Sequence, residues 1–145
     1  MTRPAPATRA AYRHFVTMAT RWRDNDVYAH MNNAVFYEYV DSVVNGWIVG
    51  TGTLEIPHGP VVGLVVQSDC IFHASLGFPT PVTGGLRVGK VGRSSVRYEV
   101  GLFDGAADSA SAEAGFTHVY VDSTTRRPVE LPEPFRAAVE SLQTD

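Results

Sequence analysis

The chain of 145 residues is poor in the residues that staple or anchor a protein. It has one cysteine, Cys70, so no disulfide can close within it, and that thiol is read as part of a core strand. Lysine is almost missing: of the 12 basic residues only Lys90 is not arginine, and the 15 acidic residues leave a net charge of -3. That balance removes the overall attraction that nucleic acid or an anionic membrane requires. No run reaches the ~18 apolar residues that cross a bilayer, because the longest candidates are interrupted by Glu38, Asp41, Gly63 and Gln67. His58, His73 and His118 are scattered, and no pair of histidines stands with a carboxylate at metal-ligand spacing, so neither metal nor cofactor is expected. Internal repeats and low-complexity stretches are absent as well.

What is there suffices for one core: 44% of the residues are hydrophobic, and a chain of this length buries ~68–70% of its unfolded surface without a staple. The start, rich in Ala, Pro and Arg, lacks the apolar run of a signal peptide. We therefore expect a flexible tail over 1–13, one domain over 14–145, and a soluble, unprocessed, cytoplasmic protein.

Residues 14–22 carry β-branched and aromatic side chains and predict a first strand. A polar, turn-prone run follows, from Asp24 to Asn33. From Ala34 to about Val49 apolar residues recur at helical spacing around most of the circumference, with Glu38, Asp41, Ser42 and Asn45 as one polar stripe. Asn32 or Asn33 is the expected N-cap, and Gly50 or Gly52 the terminator. After Pro57-His58-Gly59-Pro60 the period changes. Strands are predicted over 61–73, 81–91, 95–103 and 112–122, with turns at 92–94 and 105–109 and a short amphipathic helix over 133–142. One long apolar helix followed by antiparallel strands is an α+β order. Such a helix needs a curved sheet wrapped around it or a partner subunit on its far side, and the neighbours of Phe36, Val40 and Trp47 are where incomplete cover is expected.

The chemistry gathers before the helix. Arg23-Asp24-Asn25-Asp26-Val27-Tyr28-Ala29-His30-Met31-Asn32-Asn33 places two carboxylates, an imidazole and carboxamides where free N–H groups and the positive end of a helix dipole collect. A carboxylate there can activate water or attack a carbonyl, and a helix-terminal N–H can hold the oxyanion that develops.

This segment, with Tyr37 and Asp41 on the helix, Arg93-Ser94-Ser95-Val96-Arg97-Tyr98 and His118-Val119-Tyr120-Val121-Asp122, resembles the 4-hydroxybenzoyl-CoA thioesterase-like branch of the hotdog-fold thioesterases. The resemblance covers roughly residues 14–140. It implies a hotdog fold, a curved antiparallel sheet around a long central helix. It also implies dimers, or dimers of dimers, with sites at the subunit interface, and metal-free hydrolysis of acyl thioesters. The family's catalytic aspartate falls on Asp26, and its oxyanion N–H falls near Asn33. Acyl-carrier-protein thioesterases of similar pattern place a histidine at His30, although Tyr28 and Ala29 depart from their Asn and Gly.

Each residue also has a plainer reading. Asp26 is otherwise a turn residue, His30 a backbone-binding histidine, Asn32 and Asn33 caps, and Asp24 the partner of Arg21 or Arg23. Glu38 is the other acid worth testing, since another hotdog branch uses a helix acid, but its place in the polar stripe favours solvent. For the coenzyme A phosphates the candidates are Arg87, Lys90, Arg93 and Arg97, with Arg126 and Arg127 behind them. The expected activity is hydrolysis of a medium- or long-chain fatty acyl-CoA. The alternatives are an acyl-carrier-protein thioesterase and a non-catalytic acyl-CoA-binding protein of the same fold.

Overall fold

The computed structural model describes residues 4–144. Asn33–Thr51 form helix α1, and its burial follows from spacing. Phe36, Tyr39, Val40, Val43, Val44 and Ile48 recur three and four apart on one face and are all buried. Asn32 caps the helix, its Oδ1 accepting the Ala34 N–H at 2.9 Å. Gly52 ends it in the left-handed conformation (φ 65°) that glycine adopts without steric cost.

α1 packs on one five-stranded antiparallel sheet made of β1 (His14–Met18), β2 (Val61–Phe72), β3 (Val82–Val91), β4 (Ser95–Asp104) and β5 (Ala112–Asp122), ordered β1-β3-β4-β5-β2. This is the expected α+β hotdog arrangement, with the helix against the concave face. A short helix α2 (Glu133–Ser141) brings Phe135 and Val139 into the same core. Each such buried side chain stabilises the fold by roughly 1.5–3 kcal/mol.

Three expectations change. Strand β1 stops at Met18, because by Arg21 the chain turns to place Asp24 under the helix. Phe36 and Val40 are buried, but Trp47 is half-buried and Val49 is exposed; further uncovered apolar surface lies along β2 and on the loop at Trp22, Val27 and Tyr28. Finally, residues 7–12 of the expected flexible tail are packed on the convex face, while residues 1–3 lie outside the described residues. Tyr12 is 5% exposed, edge-on to Phe103 at 5.9 Å, and Thr8 bridges Ser109. The slot that takes the Tyr12 ring exists because position 101 is glycine: a Cβ there would stand 2.7 Å from the ring.

Candidate active site

The Asp24–Asn32 segment folds back on itself. The Asp26 N–H donates to the His30 carbonyl at 2.8 Å and the Asn32 N–H to the Asp24 carbonyl at 2.9 Å. The loop is fastened to residues 76–78 by the Met31 N–H on the Leu76 carbonyl, 2.8 Å, and the Phe78 N–H on Asn25 Oδ1, 3.1 Å. Backbone hydrogen bonds therefore place these side chains, which suits a site that must hold its geometry.

The two aspartates of the motif have opposite surroundings. Asp24 is buried beneath α1, where it accepts from the Arg21 N–H at 2.8 Å, from the Arg21 guanidinium at 2.9 and 3.1 Å, and from the Tyr39 hydroxyl. Burial pushes its carboxyl up, but the donors from Tyr39 and Arg21 outweigh it and hold it below the usual carboxylate range. In turn, burial and the bond to Asp24 push the Tyr39 hydroxyl up to about 12. Asp24 is thus buried and paired with Arg21, the partner its plainer reading gives it.

Asp26 is exposed. Its Oδ1 accepts the Tyr28 N–H at 2.8 Å and the His30 N–H at 3.3 Å, and its Oδ2 has no protein partner among the described residues. This is the turn geometry of the plainer reading, yet it fixes the carboxylate with one oxygen open. Ala29, which stands where similar sequences carry glycine, takes φ 62° to close the turn.

His30 and Asn33 are exposed, and the Asn33 N–H meets no acceptor among the described residues. Within one chain Asp26 lines a hollow of about 490 Å³ with Trp22, Val27 and Ala29. Asn33 lines a separate one of about 300 Å³ with Phe36, Phe72 and His73.

Asp26, His30 and Asn33 share one loop and helix start, but the basic candidates do not join them. Lys90 and Arg93 lie at and beyond the far end of β3, near the β3–β4 turn. They are separated from the Asp26 end by most of β4, a length of about 30 Å for its ten residues. Arg87 and Arg97 are engaged on the convex face: Arg87 Nε meets Glu99 at 2.8 Å, and Arg97 meets Glu99 at 3.2 Å and Asp69 at 3.1 Å. The Arg97 guanidinium lies over Gly115, where a Cβ would collide with it. Arg93 is mostly exposed, its nearest carboxylate being Glu130 at 4.0 Å. Glu38 is exposed at the rim of a third hollow with Arg21 and Ser42.

One group given no role in the sequence analysis stands out in the structure. His118 is buried at the other end of α1, below Tyr98 and Tyr120. The Tyr98 and Tyr120 hydroxyls are 2.7 Å apart, and Tyr120 Oη is 3.4 Å from His118 Nδ1. Its Nε2 has no hydrogen-bond partner among the described residues. Burial lowers its pKa to about 4, so the ring is neutral near pH 7. The signal was legible as alternation: Phe116, His118 and Tyr120 occupy every second position of β5 and face the core together.

The family model of the thioesterase-like superfamily matches residues 20–139. The chain belongs to that superfamily. As a member of it the protein is a thioester hydrolase with the hotdog fold. Among solved structures, the PA5185 protein from Pseudomonas aeruginosa is 42% identical, with 98% of this chain and 99% of that one covered and a TM-score of 0.93. Slr0204, a 1,4-dihydroxy-2-naphthoyl-CoA thioesterase from Synechocystis, shares the fold at 16% identity, with 88% and 96% covered and a TM-score of 0.79. The DHNA-CoA thioesterase from Staphylococcus aureus does so at 14% identity, with 88% and 87% covered and a TM-score of 0.73. No curated protein matches the chain. Among the described residues no helix is long and apolar enough to cross a membrane, and no cluster of side chains could hold a metal ion.

Proposed function

We propose that this thioester hydrolase acts on acyl-CoA as a homodimer, with Asp26 as the reacting carboxylate and the start of α1 as the oxyanion site. The observation that carries the reading is the Asp26 carboxylate, held through Oδ1 by two backbone N–H groups while Oδ2 stays open, with the Asn33 N–H at the start of α1 also without an acceptor among the described residues. As a base, Asp26 takes a proton from water as the water oxygen bonds to the acyl carbon. The C–S bond then breaks, and that proton passes to the departing thiolate. As a nucleophile, Asp26 bonds to the acyl carbon itself, the thiolate leaves, and water opens the resulting anhydride. In both routes the helix-terminal N–H at Asn33 meets the charge on the carbonyl oxygen, and His30, on the same loop, is placed to contact the substrate.

The homodimer reading rests on β2. It is an edge strand with one side unpaired, and Leu64, Val65, Val66 and Ile71 are 40–60% exposed along it. Left open, such an edge invites association. Antiparallel pairing of β2 with a second copy sets the Val61 end of one protomer beside the Phe72 end of the other. That brings the β3–β4 turn toward the partner's α1 start, where Lys90 and Arg93, free of strong ion pairs, are placed to meet the phosphates of coenzyme A. Arg87 and Arg97, held by carboxylates, serve the same purpose only by exchanging partners.

The test is thiol release from a panel of acyl-CoA thioesters by wild type, Asp26→Asn and Glu38→Gln. Turnover that Asp26→Asn abolishes supports the reading. Turnover lost instead in Glu38→Gln moves the reaction to the helix acid, and no turnover of any thioester leaves the non-catalytic alternative. Competition by free coenzyme A against acyl carrier protein separates the two carriers. A single turnover in ¹⁸O-water labels Asp26 only if it is the nucleophile.

A further inference from the structure

The end of α1 remote from Asp26 holds a cavity of about 240 Å³ between the helix, residues 54–57 and the start of β2. Ile48, Leu54, Pro57 and Val61 give it apolar walls, and His118 and Tyr120 are its buried polar lining. His118 is 3% exposed. A buried ring nitrogen with no protein partner costs stability unless something else meets it. The volume admits roughly eight water-sized groups, which suits a medium-length acyl group better than a long one.

The hydrogen-bond chain says what must meet that nitrogen. If Tyr98 donates to Tyr120 and Tyr120 to His118 Nδ1, then Nε2 carries the proton and seeks an acceptor. If the chain runs the other way, Nε2 seeks a donor. A hydroxyl is the neutral group that answers either case. A carboxylate is disfavoured, because Glu55 also lines the cavity.

The cavity lies too far from Asp26 of the same chain for a short acyl group to reach both. From Asn33 to Ile48 the helix rises by about 22 Å. The β2 pairing proposed above brings it instead beside the partner's Phe72, whose ring packs 5.0 Å from Phe36, one turn into α1.

We infer that this cavity receives the acyl group of a thioester held at the partner's helix start, and that His118 selects acyl groups bearing a hydroxyl. The inference rests on the acyl-CoA thioesterase reading and adds the acyl class to it. His118 here is a specificity residue and takes no part in bond breaking.

The experiment compares kcat/KM for octanoyl-CoA, 3-hydroxyoctanoyl-CoA and 8-hydroxyoctanoyl-CoA in wild type and His118→Leu. Wild type should favour one of the hydroxylated substrates over octanoyl-CoA by about 10-fold or more, and His118→Leu should bring that ratio to about 1. Equal rates for all three in wild type overturn the inference and assign Nε2 to a trapped water. A second measurement needs neither the variant nor catalysis. In ¹⁵N-histidine-labelled wild type, the hydroxyoctanoate that matches the preferred thioester should shift the His118 Nε2 resonance, and octanoate should not. That shift with no turnover of any thioester sinks the thioesterase reading alone. Turnover with no selective shift sinks the His118 assignment alone.

Discussion

The two ends of α1 handle polarity in opposite ways. At its start, Asp26 is a carboxyl group left exposed, and the loop around it is closed by short backbone hydrogen bonds. At its end, His118 is kept out of water with one nitrogen unmet, inside apolar walls. Exposure leaves a carboxylate within reach of substrate and water. Burial keeps an imidazole neutral and makes each of its hydrogen bonds decide something. The contrast separates a place suited to reaction from one suited to recognition, and it breaks in specific ways.

The largest effect belongs to Asp26→Asn. The amide neither takes a proton nor attacks, so kcat should fall ~10²–10⁴-fold while the urea midpoint stays put. Its neighbour gives the reverse outcome. Asp24→Asn removes the charge that Arg21 and Tyr39 surround, and should cost roughly 2–4 kcal/mol in urea unfolding with the folded fraction still active. Similar losses of kcat in both variants would erase the distinction between the two acids.

On the other side of the comparison, the burial of His118 sets a pH window. Its pKa is about 4 folded against 6.5 unfolded, so the unfolded chain binds the extra proton first. Stability contributed by the neutral ring is complete above pH ~6.5 and is lost as pH falls toward ~4, on the order of 2–3 kcal/mol. Unfolding midpoints at pH 7 and pH 4.5 should show that slope in wild type and a shallower one in His118→Leu. The carboxylates common to both proteins cancel in the difference.

A charge on the open edge of β2 tests the proposed pairing. Val65→Lys places an ammonium on the β2 edge of the proposed homodimer, and sedimentation that shifts from dimer toward monomer supports that pairing. If the halves act across the dimer, activity should fall with the same concentration dependence. The smallest effect is at the turn itself: Ala29→Gly relieves a left-handed alanine and should leave stability unchanged or raise it by about 0.5–1 kcal/mol, read as a rise in Tm.

Much of the fold was legible because its signals are local. The period change after Pro60 and the strand composition of 61–73 and 95–103 locate strands that the structure bounds at Val61–Phe72 and Ser95–Asp104. The polar stripe of α1 is the face left exposed. What escaped depends on neighbours distant in sequence. The slot for Tyr12 is made by Gly101, 89 positions later, so no pattern in residues 7–12 announces it. Arg97 reads as a free cation until Asp69, two strands across, is seen to hold it. The Asp26 loop was legible as a motif, whereas the open nitrogen of His118 required the packing of three strands and a helix.

The strand order also carries a consequence for how the chain reaches this state. β3, β4 and β5 are successive neighbours joined by short turns, so they can zip together as soon as they leave the ribosome. β1 and β2 cannot: the first waits for β3 across α1 and β2, and the second waits for β5 across the whole meander. Until then α1 and β2, the most apolar segments, have no sheet to lie on. The expected folding nucleus is therefore the C-terminal meander. Substitutions there should slow folding, while those in β1 and β2 should mainly speed unfolding.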